Sequence, residues 1–133
     1  MALMTIAKGR SKITETIFEN RMNHVEVLNQ MWSSITVKSN IAQVNGVKKL
    51  RGMTLVGLDL RSSAALIIAA LTSSNVSYVY GLEHLDRGYE NFEQKLSKLG
   101  IEIKREITKR IISESNYDHL NPNNKEVSEI KAA

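Results

Sequence analysis

Four charged residues stand where loops open into helices, and their types could hold an anion or move a proton. Arg87 lies in a glycine-containing turn, residues 85–90, and Arg21 lies in an earlier loop. Asp59 and Arg61 stand at the start of another helix. A guanidinium group can bind a carboxylate or a phosphate through two parallel hydrogen bonds. Local sequence leaves open that the arginines are surface charges and that Asp59 is only a helix N-cap.

The composition excludes several other kinds of site. The 133 residues include no cysteine, which rules out disulfides, thiolate metal sites and a cysteine nucleophile in this chain. His24, His84 and His119 lack metal-ligand spacing, and no cofactor is implied. The net charge of +4 is mild and only 5% of residues are aromatic, so an anionic small molecule fits at least as well as nucleic acid.

No apolar run approaches the roughly 20 residues that span a bilayer. We therefore expect a soluble, cytoplasmic chain with neither a membrane nor a nucleic acid as partner. Its length suits one domain with a modest core.

Helix and strand signals alternate through the first half of the chain. The patterns predict a helix over residues 1–8, a strand over residues 12–17 and a short helix around residues 25–31. Ser39-Asn40 is a two-residue turn signal, so residues 35–38 and 41–44 should form a β-hairpin.

The second half begins with an apolar strand over residues 54–58. Asp59 is placed to cap a helix over residues 60–72 that is apolar nearly all round and should be buried. After it we expect a strand over residues 75–80, a loop over residues 83–87, a helix across residues 89–99 and a strand over residues 101–104 that pairs with residues 107–112. The pattern stops after residue 113, so residues 114–133 are predicted to be a disordered tail.

The two halves are copies of one unit. Each reads helix, strand, arginine-containing loop, helix, strand, so Arg21 and Arg87 occupy corresponding loops. Residues 53–112 form a complete β-α-β-α-β-β unit, whereas residues 1–46 lack the leading strand. We therefore expect the chain to be a piece of something longer. The matching pairs are Ala2-Leu3 with Ala65-Leu66 and Met31-Trp32 with Leu99-Gly100.

Three stretches that carry the charged residues resemble the UDP-N-acetylglucosamine 1-carboxyvinyltransferases, a branch of the enolpyruvyl transferase family. The enolpyruvylshikimate phosphate synthases share the fold, but the amino-acid sequences of the first and third stretches are more similar to the UDP-N-acetylglucosamine 1-carboxyvinyltransferases. The resemblance covers about residues 1–104. The stretches are ITETIFENR at 13–21, GLDLRSSAAL at 57–66 and HLDRGYE at 84–90, followed by KL at 95–96 and LG at 99–100.

The resemblance implies an α/β (α+β) fold, part of an inverse α/β barrel built from repeated β-α-β-α-β-β units. Residues 1–113 would be part of the C-terminal domain, and the substrates would lie between this domain and another. The implied partners are phosphoenolpyruvate and UDP-N-acetylglucosamine.

The resemblance also implies roles for five residues. Arg87 matches the arginine that holds the phosphoenolpyruvate anion, and Arg21 and Arg61 match basic residues of the same cleft. Asp59 matches a carboxylate near the reacting substrates. Ile17 matches a position whose backbone contacts the UDP-sugar.

Other parts of the family's machinery have no counterpart in this chain. The catalytic loop cysteine, a Lys-Asn pair and the aspartate proposed as general base all precede the matched region. The resemblance therefore implies no transferase activity for the chain alone, and the missing N-terminal part is a candidate partner as a separate chain. A non-catalytic ligand-binding or interaction module remains an alternative, because Trp32 stands where the second copy has Gly100. A small basic nucleic-acid binder has little support.

Overall fold

The computed structural model describes residues 1–19, 21–109 and 126–132. These residues form a short 3-10 turn, four α-helices and seven strands. In chain order they are the 3-10 turn Ala2–Thr5, β1 Arg10–Thr14, α1 His24–Gln30, β2 Ser34–Lys38, β3 Ile41–Asn45, β4 Thr54–Val56, α2 Leu60–Ala70, β5 Ser77–Tyr80, α3 Leu82–Asp86, α4 Phe92–Ser97, β6 Ile103–Lys109 and β7 Glu126–Ala132.

The strands form two sheets, and helices pack between and against them. The first sheet has the order β1-β3-β2, with both pairs antiparallel. The second has the order β4-β5-β7-β6, in which only β4 and β5 are parallel. The predicted hairpin is present as β2 and β3, and the mixture of helices and sheets is the α+β class that the sequence predicts.

The two sheets share a register that a repeat predicts, but the second unit ends with β7 at Ala132 instead of at residue 112. In the first sheet, Asn45 of β3 pairs with the first residue of β1 and the first residue of β2. In the second sheet, Ala132 of β7 pairs in the same way with Ser77 of β5 and Ile103 of β6. β4 has no equivalent in the first sheet, as expected for a first copy that lacks its leading strand.

The disordered tail predicted over residues 114–133 is wrong for its last part. Residues 126–132 are β7, which lies between β5 and β6 and pairs with both. Ile130 and Ala132 are fully buried, so this strand completes the core as well as the backbone hydrogen bonding. The predicted strand 107–112 is also not a separate partner, because β6 runs unbroken to Lys109. Residues 110–125 lie outside the described part of the chain.

One loop prediction and two helix predictions were also wrong. The loop expected at residues 83–87 is mostly α3, because Leu82 and Leu85 form a fully buried helix face. The helix expected across residues 89–99 begins only at Phe92, after Asn91 with a φ of 50°. The first residues form a 3-10 turn that ends at Thr5 instead of a helix through residue 8.

Trp32 and Gly100 occupy equivalent positions directly after α1 and near the end of α4. Both have left-handed backbone, with φ values of 68° and 84°, a conformation common just after a helix. The conformation is strained for a tryptophan, since a side chain with a Cβ disfavours it by roughly 1–2 kcal/mol. The Trp32 side chain is largely exposed and lies under the Arg51 guanidinium, 5.2 Å from the ring centroid.

α2 is the central helix of the described structure. It packs against the 3-10 turn, α1, α3, β5 and β7. Leu66 and Ile67 are fully buried, whereas Ile68 is 39% exposed. The predicted burial of this helix is therefore confirmed except on the side that carries Ile68.

Candidate active site at the start of α2

Asp59 caps α2 in the manner that the sequence predicts. Its Oδ1 accepts hydrogen bonds from the backbone N–H of Arg61 at 2.8 Å and of Ser62 at 2.9 Å. In return, the Ser62 hydroxyl oxygen accepts a bond from the Asp59 N–H at 3.0 Å. This reciprocal capping box satisfies several N–H groups that the first turn of a helix otherwise leaves unpaired.

The cap also sets the charge of Asp59. Burial works to raise the pKa of this carboxyl, but hydrogen bonds from Ser62 and Arg61 and the nearby His24 outweigh it and hold the pKa below its ordinary value. Asp59 is therefore a carboxylate at neutral pH. A carboxylate can accept a hydrogen bond or a proton from a bound hydroxyl group.

The turn that carries Arg87 packs directly on the first turn of α2. Arg87 ends α3, and Gly88 follows it. A Cβ at Gly88 would lie 3.0 Å from both methyl carbons of Leu60, so glycine permits the close contact. The structure thus brings Arg87 to the end of α2 that holds Asp59 and Arg61.

Two of the predicted arginines have uncommitted side chains. Arg61 and Arg87 are exposed, and among the described residues neither guanidinium group has a hydrogen-bond or ion-pair partner. An arginine fork without a protein partner retains its donors for an external carboxylate or phosphate. Arg61 also sits in the first turn of α2, where the helix dipole favours an anion over the cation itself.

Arg21 is held by its own loop. Its guanidinium lies 3.6 Å from Glu15 Oε2 and 4.0 Å above the centroid of the Phe18 ring. Glu15 Oε1 accepts hydrogen bonds from the N–H groups of Ile17 and Phe18 at 2.8 and 3.2 Å. The bond from Ile17 has the greatest effect on the pKa of Glu15. Together the two bonds outweigh burial, so this pKa lies below its ordinary value. The Ile17 N–H is therefore occupied, and a ligand would contact the Ile17 carbonyl or displace Glu15.

The start of α1 lies beside the start of α2. His24 and Asp59 are close enough for each charge to shift the pKa of the other. For His24, burial and then the Met1 amino group lower the pKa, and Asp59 opposes them. A shallow surface depression lies between the two helix starts. Its lining is Asn23, His24, Val27, Val56, Leu58, Ser62 and Leu66.

We name the region formed by residues 59–61, 23–24 and 87–88 the α2-start site. It unites Asp59, Arg61 and Arg87 of the predicted set. Arg21 and Ile17 are bound to each other through Glu15, and among the described residues no hydrogen bond or ion pair links them to residues 59–61. Arg21 precedes this site by only two residues in the chain.

Sequence reasoning missed two contributors. It assigned no chemistry to His24, whose position beside Asp59 depends on how α1 packs on α2. It also missed Arg105, which pairs with Asp86 across a separation of 19 residues. No local pattern connects residues at that separation, so sequence reasoning had no signal for this contact.

In the ranges that the structure describes, no group of three or more His, Cys, Asp or Glu side chains is arranged to hold a metal ion. Within the same ranges, no helix combines the length and apolar character needed to cross a membrane.

Comparison with known proteins gives consistent matches. Residues 1–96 match the family model of EPSP synthase (3-phosphoshikimate 1-carboxyvinyltransferase). A UDP-N-acetylglucosamine 1-carboxyvinyltransferase of Prochlorococcus marinus subsp. pastoris (strain CCMP1986 / NIES-2087 / MED4) is 82% identical over all 133 residues, which make up 29% of that protein. One from Prochlorococcus marinus (strain MIT 9312) is 58% identical over 132 residues, again 29% of its length.

Solved structures agree with the fold. The enolpyruvyl transferase NikO from Streptomyces tendae matches with a TM-score of 0.64 and 30% identity, over 71% of this chain and 22% of that one. EPSP synthase from Acinetobacter baumannii matches with a TM-score of 0.62 and 15% identity, over 96% of this chain and 26% of that one, which supports the fold alone. The chain thus spans about three tenths of the length of the curated relatives named above. The match of residues 1–96 to the family model, together with the fold shared with NikO, shows that the chain belongs to the EPSP synthase family of enolpyruvyl transferases.

Proposed function

We propose that this chain is the substrate-holding part of a UDP-N-acetylglucosamine enolpyruvyl transferase. The enzyme would transfer the enolpyruvyl group of phosphoenolpyruvate to UDP-N-acetylglucosamine in the cytoplasm, for peptidoglycan and hence cell-wall synthesis. The 82% identity to a protein of that name supports the substrates. The observation that carries the proposal is the pair of uncommitted guanidinium groups, Arg61 and Arg87, beside the Asp59 carboxylate.

Arg87 is the proposed ligand for phosphoenolpyruvate. This substrate carries a carboxylate and a phosphate, and an arginine fork can bind either through two bonds. The N–H groups at the start of α2 are partly used, since Asp59 occupies those of Arg61 and Ser62. The arginine side chains must therefore supply most of the donors for the anion, with Arg61 and Arg21 as further cations.

Asp59 is the proposed acceptor for the sugar hydroxyl. Enolpyruvyl transfer joins the hydroxyl oxygen to the enolpyruvyl carbon and releases phosphate, so the hydroxyl proton must move to a base. A carboxylate with a lowered pKa orients a hydroxyl group well and accepts its proton only weakly. We therefore assign Asp59 an assisting role. Ile17 is an exposed residue, and its backbone carbonyl is the proposed contact for the UDP-sugar.

The test is a titration of the isotope-labelled chain with phosphoenolpyruvate, followed by NMR at the backbone N–H resonances of residues 87 and 88, which the parent and its variants share. We expect a saturable shift for the parent and at least about tenfold weaker binding for Arg87→Gln, the loss expected for a charge-assisted bond. Lys98→Gln removes the same charge at the exposed end of α4 and should bind like the parent. Equal binding by the parent and Arg87→Gln would refute the proposal.

A non-catalytic ligand-binding module is the second candidate. The left-handed backbone at Trp32, with a φ of 68°, favours it, because a family member under constraint at this position would carry glycine. The two candidates share the binding site and differ in whether the chain can support turnover when the rest of the enzyme is supplied.

A further inference from the structure

The turn that carries Arg87 is fastened to β6 by one ion pair. Arg105 directs its fork at Asp86, with Nη1 3.0 Å from Oδ2 and Nη2 2.7 Å from Oδ1. The same Nη2 lies 3.5 Å from Glu93 Oε2. Arg105 thereby joins β6 to the end of α3 and to α4.

Arg105 directs its fork at Asp86 although a second carboxylate, Glu93, lies close by. Glu93 is the more buried carboxylate, at 12% exposure against 46% for Asp86. If the pair served only to neutralise buried charge, the fork would face Glu93. Instead, Glu93 Oε2 and Arg105 Nε are buried without a hydrogen-bond partner. The hydrogen bonding that Arg105 donates to Asp86 is also the largest influence that raises the pKa of Arg105.

The position of Asp86 gives a reason for this choice. It directly precedes Arg87, so a free carboxylate there would compete for the Arg87 guanidinium and repel an incoming anion. In the structure both Asp86 oxygens are bound to Arg105. The Arg87 guanidinium, in turn, has no partner among the described residues.

We propose that Arg105 is a positioning residue that engages Asp86 and so keeps Arg87 available for the substrate anion. This rests on the proposed function, in which Arg87 binds phosphoenolpyruvate. Arg105 acts through Asp86 and does not itself touch the substrate.

The experiment uses substitutions whose effect on phosphoenolpyruvate binding differs between two roles of Arg105. One role is purely structural, and the other is to engage the Asp86 carboxylate. The same Arg87 NMR titration with phosphoenolpyruvate is performed on the full 133-residue chain. The variants are Arg105→Gln, Asp86→Asn and the double variant. Lys104→Gln is the matched control, because Lys104 is the exposed neighbour on β6 and loses the same charge.

We expect Arg105→Gln to weaken binding about fivefold, the upper range for an exposed ion pair. Asp86→Asn should bind at least as well as the parent, because it removes the competing charge. The double variant should return to within about twofold of the parent, and Lys104→Gln should stay there. A merely structural pair predicts instead that Asp86→Asn weakens binding as Arg105→Gln does and that the double variant is not rescued.

Either of two results would overturn the inference. One is equal binding by Arg105→Gln and Lys104→Gln. The other is a folded double variant that binds as weakly as Arg105→Gln. If thermal unfolding shows that Arg105→Gln is not folded, Arg105→Lys replaces it, since lysine keeps the charge but lacks the fork. The proposed function and this inference are refuted together if the parent chain does not respond to phosphoenolpyruvate. The same holds if Arg87→Gln binds it as tightly as the parent.

Discussion

At the scale of single residues, Asp59 combines a structural and a chemical role. Its carboxylate caps α2 through Oδ1, and the same group is the proposed acceptor for the sugar hydroxyl. A serine at this position can still cap the helix, because its hydroxyl oxygen also accepts a hydrogen bond from the helix N–H groups. It cannot replace the negative charge. The two roles can therefore be separated by substitution.

We expect Asp59→Ala to lower the free energy of unfolding by about 1 kcal/mol, since it removes the cap, and Asp59→Ser to retain most of that stability. Urea denaturation followed by circular dichroism measures both. An equal loss for the two variants would contradict the capping role.

The same cap has a pH dependence with a defined sign. Because folding lowers the pKa of Asp59 below its ordinary value of 3.8, its contribution to stability is complete above that pH and is lost as the pH falls below it. Asp59→Ser should lack this component in the acid range, and the parent should show it.

At the scale of elements, β7 is essential to the second sheet. It separates β5 from β6 and supplies hydrogen bonds to both, just as β3 does for β1 and β2. Its Ile130 is fully buried, so the sheet and the core depend on a strand whose surrounding sequence is polar. Arg105 on β6 then fastens the Arg87 turn, which links this sheet to the α2-start site.

We expect Ile130→Ala to cost about 2–5 kcal/mol of unfolding free energy, the usual range for truncating a buried isoleucine. Ile107→Ala on β6 is the matched control, because Ile107 is 69% exposed. Its cost should stay within about 0.5 kcal/mol. If thermal and urea unfolding gave similar values for both variants, β7 would not pack as described.

At the scale of the whole molecule, the chain has the residues proposed to hold the substrates but spans only part of the relatives' length. It spans 29% of the enzyme to which it is 82% identical. Its apolar side chains are not all covered, since Leu3 is 61% and Ile68 39% exposed beside the central helix. A site that binds from one side positions its substrates poorly, because orientation of two reactants needs contacts on both.

We therefore expect the purified chain to release no phosphate from phosphoenolpyruvate and UDP-N-acetylglucosamine. Mixing it with the remaining part of the Prochlorococcus marinus MED4 relative should restore turnover, measured as phosphate release. The chain with Arg87→Gln is the control and should restore little. Turnover by the chain alone would contradict this expectation, and binding without restored turnover would favour the non-catalytic module.

Much of the fold and part of the site follow from signals within a few residues. The Asp59 cap, the Ser39-Asn40 turn and the apolar run of α2 predicted their elements because capping, turn geometry and helix burial are local properties. The repeat extended these signals and matched Arg21 with Arg87. Trp32 and Gly100, which the repeat aligned, both have left-handed backbone.

The remaining features depend on contacts between residues far apart in the chain. Ile130 is buried in the core because β7 lies between β5 and β6. The polar residues around it in the sequence gave no strand signal. The packing of Gly88 on Leu60 and the Arg105–Asp86 pair arise from how the helices and β6 approach one another. Sequence therefore identified which arginines could bind an anion. The folded chain settled which of them are uncommitted, because charge pairing depends on distances that local patterns do not encode.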